Sequence, residues 1–201
     1  MRIGIFGGTF NPVHYGHLLL AESCREQRGL DEVWFVPAAV PPHKQDQQLV
    51  DAAQRLEMLK LAAGGNEAFH VSELELKRGG VSYTVDTLEA IHGERPAAEL
   101  YLLIGADTLA DMPNWRNPRR VCELALPTAV CRPGSGELDY APLAAFVEPS
   151  RLARLRELRV EMPLVGISSR DLRARIAAGK SIRYQVPRAV EKFIETSGLY
   201  R

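Results

Sequence analysis

The spacing of its short apolar runs constrains this chain most. They lie at residues 2–6, 32–36, 69–76, 99–104, 125–131 and 159–161, with helical patterns between them. Short runs bounded by Gly and Pro read as strands. Residues 2–6 end in Gly7-Gly8, and residues 32–36 end in Pro37. ELYLLI at 99–104 is the strongest run, while 125–131 and 159–161 are weaker. Helical spacing covers 18–27, 50–63 and 84–91, and two further helices, 169–178 and 187–196, finish the chain. Strands separated by helices of this length need crossover connections, which build a parallel sheet covered on both faces. In such sheets ligands gather beyond the carboxyl ends of the strands. The polar motifs follow residues 2–6 and 99–104, where that rule places a site.

Composition narrows the class. The chain has 201 residues, enough to bury a core without staples. Its 25 Lys+Arg balance 25 Asp+Glu, so net charge points to neither a nucleic-acid nor a membrane partner. The stretch 151–188 is rich in Arg, which reads first as a solvated surface. Cys24, Cys122 and Cys131 are scattered and form no CxxC pair, as expected of packing residues in a reduced, cytoplasmic protein. With His43, His70 and His92 dispersed as well, no protein-built metal site is expected. No apolar run approaches the ~20 residues of a membrane span.

The densest chemistry is Gly7-Gly8-Thr9-Phe10-Asn11-Pro12-Val13-His14-Tyr15-Gly16-His17, between a strand and a helix. The glycines permit close backbone approach to a ligand. His14 and His17 are three apart and share a face on a first helical turn, with Gly16 leaving that face open. Two imidazoles, glycine amides and a helix N-terminus together suit phosphate. Gly4, Gly7 and Gly8 have the wrong spacing for a dinucleotide fingerprint or a Walker A loop. Ser168 and Asp171 have the spacing of a capping box, so they start a helix that is also an anion site. Asp107 reads equally as a helix N-cap. Trp115, among prolines, reads equally as cover for a core edge.

GGTFNPVHYGHL resembles the signature of the HxGH nucleotidyltransferase superfamily, and within it the bacterial nicotinate-nucleotide adenylyltransferase family. Four further blocks match that family in order. They are Pro41-Pro42-His43-Lys44, Ser82-Tyr83-Thr84 with Asp86-Thr87-Leu88, Gly105-Ala106-Asp107 with Trp115, and Ile167-Ser168-Ser169 through Arg173. Asn11 stands where the family often has Asp, Arg170 where it has Thr, and Leu172 where it has Ile.

The resemblance implies an α/β fold, a Rossmann-like parallel sheet with helices on both faces. One nucleotidyltransferase domain would span residues 1–201, with a short C-terminal helical part from about residue 167. It implies adenylyl transfer from ATP to nicotinate mononucleotide, giving nicotinate adenine dinucleotide and pyrophosphate. His14, His17, Lys44 and Arg173 would be catalytic. ATP would contact Gly7, Gly8, Thr9, Phe10, His17, Gly105, Asp107, Ser168, Ser169 and Arg173. The mononucleotide would meet Tyr83, Thr84, Trp115, Arg116, Asp107 and Lys44, with Trp115 stacking on the pyridine ring. Mg²⁺ would arrive held by the phosphates and water. A homo-oligomer stays open. So do nicotinamide mononucleotide or phosphopantetheine as acceptor, and a nucleotide-binding regulator without catalysis.

Overall fold

In the computed structural model, which describes residues 1–42, 49–131 and 138–201, the apolar runs pair as expected. Strands β1 (Arg2–Gly8), β2 (Glu32–Pro37), β3 (Phe69–Val71), β4 (Glu99–Gly105), β5 (Ala125–Cys131) and β6 (Val160–Glu161) form one sheet in the order β3-β2-β1-β4-β5-β6. Every pairing is parallel. The order reverses between β1 and β4, which places the crevice of a doubly wound sheet beyond their carboxyl ends.

The crossovers are helices α1 (Tyr15–Arg28), α2 (Ala52–Ala63), α3 (Leu74–Arg78), α4 (Thr84–Glu94), α5 (Ala106–Asp111), α6 (Pro118–Leu124) and α7 (Pro149–Glu157). Helices α8 (Ser169–Ala177) and α9 (Arg188–Thr196) close the chain. Gly29 ends α1 in the left-handed region, at φ 59°, as a helix-terminating glycine does.

Three expectations need correction. The strand expected over 69–76 stops at Val71, and Leu74–Arg78 is helical. Ser72 N–H donates to Phe35 O at 2.9 Å, and the chain then leaves the sheet. The helix expected from residue 18 starts at Tyr15. The run at 125–131 is not a marginal strand: every one of its residues is buried, because helices cover both faces.

The core is one cluster that runs from Ile3 and Phe35 through Leu100 and Leu126 to Val190 and Ile194. Cys24, Cys122 and Cys131 are buried and free. Burial pushes the Cys24 thiol up to about 12 and Cys122 up to about 11, so neither supplies a thiolate near neutrality. Among the described residues no helix is long and apolar enough to cross a membrane.

Candidate active site

Three adjoining clefts open at the carboxyl edge of the sheet. The first, about 480 Å³, is lined by His14, Gly16, His17, Gly105, Asp107, Ser168 and Ser169, with apolar wall from Leu20, Val130 and Val165. The second, about 250 Å³, lies against Gly7, Gly8, Thr9, Ser82, Thr84, Gly105, Thr108 and Trp115. The third, about 380 Å³, is formed by Ser82, Tyr83, Thr84, Asp107, Asp111, Trp115 and Arg116. Asp107 belongs to the first and third, and Gly105 to the first and second. Helices α1, α4 and α8 begin at these walls, so their positive dipole ends lie at the same space.

His14 is the N-cap residue of α1, and its N–H donates to Nδ1 of His17 at 3.2 Å. Nδ1 of His17 is therefore the acceptor nitrogen, and the neutral ring carries its proton on Nε2. The two imidazoles stack with centroids 3.7 Å apart. Stacking so close is tolerable because neither ring is charged at neutral pH. Burial holds His14 down to about 4. It also holds His17 well below its ordinary 6.5, with repulsion from His14 adding to the effect. His14 Nδ1 is buried and has no hydrogen-bond partner among the described residues.

Two glycines serve these rings. A Cβ at Gly16 would sit 3.0 Å from the His14 ring, so the absent side chain makes room for the imidazole as well as for a ligand. A Cβ at Gly8 would meet the Phe10 ring at 2.9 Å. The Phe10 side chain, placed at ATP by the family resemblance, is 2 % exposed and packs edge-on against Phe6, Phe35 and His17.

At α8 the capping box forms as read. Ser168 Oγ accepts from Asp171 N–H at 3.1 Å and donates to the Asp171 carboxylate at 2.7 Å. Ser169 Oγ donates to Pro12 O at 2.9 Å. Both hydroxyl protons thus already have protein acceptors, and the donors left for an anion there are backbone amides. Arg173 does not line the described clefts: its Nη1 donates to Asn11 O at 2.8 Å. Tyr200 donates to the Asn11 side chain at 2.6 Å, so the C-terminal helical part ties down the turn after β1. Asn11 acts as that turn's anchor.

In the third cleft the Arg116 guanidinium lies over the Tyr83 ring at 4.7 Å and reaches Asp86 at 3.4 Å. Trp115 is half-buried, and its Nε1 donates to Asp111 at 3.3 Å, which fixes the indole plane at the cleft wall. Asp107 is the second residue of α5 rather than its cap, which is Gly105. Lys44, expected to be a mobile cation, and His43 lie outside the described residues. Among the described residues no group of three or more His, Cys, Asp or Glu side chains gathers as a metal cage.

Sequence reasoning missed Arg55, Glu75, Ser82 as a bonding residue, Thr108 and Asp111. Glu75 is buried beneath the second cleft and takes a hydrogen bond from Thr87 Oγ1 at 2.6 Å. Burial pushes its carboxyl up, against the hydrogen bonds of Thr87 and Ser82. The available signal was a charged residue on an otherwise apolar face: Arg55 lies three and four residues before Met58 and Leu59.

A family model described as cytidylyltransferase-like matches residues 5–175. A probable nicotinate-nucleotide adenylyltransferase of Thermomicrobium roseum is 46% identical over 200 residues, covering 100% of this chain and 92% of that one. The one from Desulfitobacterium hafniense is 42% identical over 200 residues, covering 100% and 96%. Among solved structures, Plasmodium falciparum nicotinic acid mononucleotide adenylyltransferase complexed with NaAD superposes with TM-score 0.74 at 16% identity, covering 99% of this chain and 97% of that one. That likeness concerns the fold.

Proposed function

The chain belongs to the cytidylyltransferase-like family, and from that premise we propose that it is a nicotinate-nucleotide adenylyltransferase. It transfers the adenylyl group of ATP to nicotinate mononucleotide, giving nicotinate adenine dinucleotide and pyrophosphate in NAD biosynthesis. One observation carries the reading at the level of chemistry. An anion-suited cleft at His14 and His17 shares Asp107 with an aromatic cleft at Tyr83 and Trp115. Two nucleotides lying one in each would meet beyond β1 and β4.

The mononucleotide's phosphate oxygen attacks the α-phosphorus of ATP, the bond to the bridging oxygen breaks, and pyrophosphate leaves. That phosphate is already a competent nucleophile, so no side chain need form a covalent intermediate. The protein's work is to hold two anions in line and to stabilise the added charge. His17 offers Nε2–H, and His14, stacked beside it at the same cleft, offers a second neutral imidazole. The amides at the start of α8 are suited to the phosphates beyond the α-phosphorus. Lys44 and Arg173 add cationic charge in this reading. Asp107 is the carboxylate lining both outer clefts, and it suits a ribose hydroxyl or the water shell of an ATP-borne Mg²⁺. Mg²⁺, when bound, screens the triphosphate charge. In the third cleft Trp115 gives a face for the pyridine ring. Amides near Thr84 and Arg116 suit its carboxylate, each such charge-assisted bond being worth about 1.5–3 kcal/mol.

We read the chain as one nucleotidyltransferase domain, supported by the single core cluster that joins the sheet to α9. Its three free, buried cysteines fit a cytoplasmic enzyme. The test is pyrophosphate release from ATP with nicotinate mononucleotide, nicotinamide mononucleotide or phosphopantetheine as acceptor. The expected order has nicotinate mononucleotide first by kcat/KM. Preference for the amide or for phosphopantetheine would overturn the substrate, and no release with any acceptor would overturn the enzyme.

A further inference from the structure

Among the described residues, the largest fully buried side chain is a charged one, Arg55, at 1 % exposure. It projects from α2 and donates to three carbonyls on three separate segments. Nη1 reaches Thr9 O at 2.9 Å, Nη2 reaches Ala39 O at 3.3 Å, and Nε reaches Val50 O at 3.0 Å. Among the described residues no carboxylate lies within ion-pair distance of it, and Asp51 and Tyr200 act on it only from farther off. A buried cation held by neutral carbonyls instead of a contacting carboxylate costs solvation that they offset only in part. An apolar side chain beside Met58 and Leu59 would fill the space more cheaply, so the guanidinium is explained by what it holds.

The Ala39 peptide is gripped at both ends. Its carbonyl takes Arg55, and its N–H donates to Ser82 Oγ at 2.9 Å. On one side, Ala38 N–H donates to Gly8 O at 2.9 Å. On the other, Ser82 N–H donates to Val40 O at 2.9 Å. A continuous set of hydrogen bonds thus runs from the turn after β1 to Ser82, two residues before α4. Gly8 and Thr9 line the second cleft, and Ser82 and Thr84 line both the second and the third.

We propose that Arg55 is a positioning residue of the transfer reaction. By holding Thr9 and Ala39 in one guanidinium fork, it fixes the turn after β1 against the Ser82–Thr84 wall of the mononucleotide cleft. The inference rests on the transfer reading above. In-line attack is sensitive to placement, and a shift of about 1 Å costs on the order of 10²-fold. Lysine keeps the charge, but one ammonium does not span three segments as a planar fork does.

The test compares wild type with Arg55→Lys, Arg55→Met and Ser82→Ala. Pyrophosphate release from ATP and nicotinate mononucleotide is measured per site, with sites counted by titrating a non-hydrolysable ATP analogue. Both Arg55 variants should lose at least about tenfold in kcat per site, with KM for each substrate changed by less than about threefold. Ser82→Ala should lose about threefold or more, and Arg55→Lys combined with Ser82→Ala less than the product of the two, because both act on the Ala39 peptide. A residue with a merely structural role would lower Tm and the number of sites but leave kcat per site unchanged. That result, or losses that multiply, overturns the inference. Should the Arg55 variants fail to fold, Ser82→Ala decides: kcat per site equal to wild type overturns it. Wild-type protein that releases no pyrophosphate refutes the transfer reading and this inference with it. An active wild type with unaltered variants refutes the inference alone.

Discussion

Replacing His14 with Asn should flatten the acid limb of the protein's stability profile. His14 is 6 % exposed, and burial holds its pKa near 4 against an ordinary 6.5. An unfolded chain takes up a proton at this ring near pH 6.5, while the folded chain resists protonation until about pH 4. Stability is therefore full above pH 6.5 and falls as pH drops through that window, by about 1.4 kcal/mol per unit. From pH 6.5 to pH 5 the loss is about 2 kcal/mol, approaching 3 kcal/mol near pH 4. His17 acts in the same direction chiefly through its own burial, which the variant keeps, so His14→Asn relieves only the smaller part that comes from His14. Asn is a favourable residue at the start of a helix, which keeps α1 capped in the variant. The assay is urea unfolding of both proteins at pH 7.5, 6.5, 5.5 and 5, with the denaturant slope checked for constancy. Carboxylates that titrate in both proteins cancel in the difference. The wild type should lose about 2 kcal/mol more than the variant between pH 6.5 and pH 5. A difference that stays flat over that range would refute burial as the force keeping this ring neutral.

Three further outcomes test the site. His17→Ala should lower kcat by about 10²–10³, the scale for one preorganised donor, and wild-type turnover would remove Nε2 from the chemistry. Trp115→Ala should raise Kd for nicotinate mononucleotide by at least about tenfold while changing ATP binding little, the scale of a lost stacking platform; calorimetry showing equal shifts for both ligands would argue against stacking. Gly16→Ala places a methyl 3.0 Å from the His14 ring, although alanine is the better helix former by about 1 kcal/mol. Its kcat should fall at least about tenfold with little change in Tm, and full activity would mean that the ring position does not matter.

What could be read from the sequence followed from locality. The sheet strands announce themselves because runs such as ELYLLI are buried on both faces. His14, His17, Ser168 and Asp107 follow strand ends or open helices, and those signals are written within a few residues. Boundaries were less legible. Residues 73–77 alternate acidic, apolar and basic side chains with period two, yet β2 pairs with residues 69–71 alone, so the rest was free to coil into α3. Helices α6 and α7 each open on a proline, Pro118 and Pro149, a start signal too weak without the burial of Val121, Cys122 and Leu155 to support it.

The holding groups were hidden because their partners are distant in sequence. Arg55 meets Thr9 across 46 residues, Ala39 meets Ser82 across 43, and Arg173 meets Asn11 across 162. Motif likeness names side chains and leaves open which atoms remain free. Ser168 shows the difference: its hydroxyl is the expected phosphate contact, yet it already donates to Asp171 while accepting from that residue's amide. On the proposed reading, a phosphate at this end of the cleft would draw on peptide N–H groups, whose directions are fixed by α8. Fixed donors need no reorganisation when charge builds at a transferring phosphorus, so on that reading the capping box would serve the chemistry by holding the amides still.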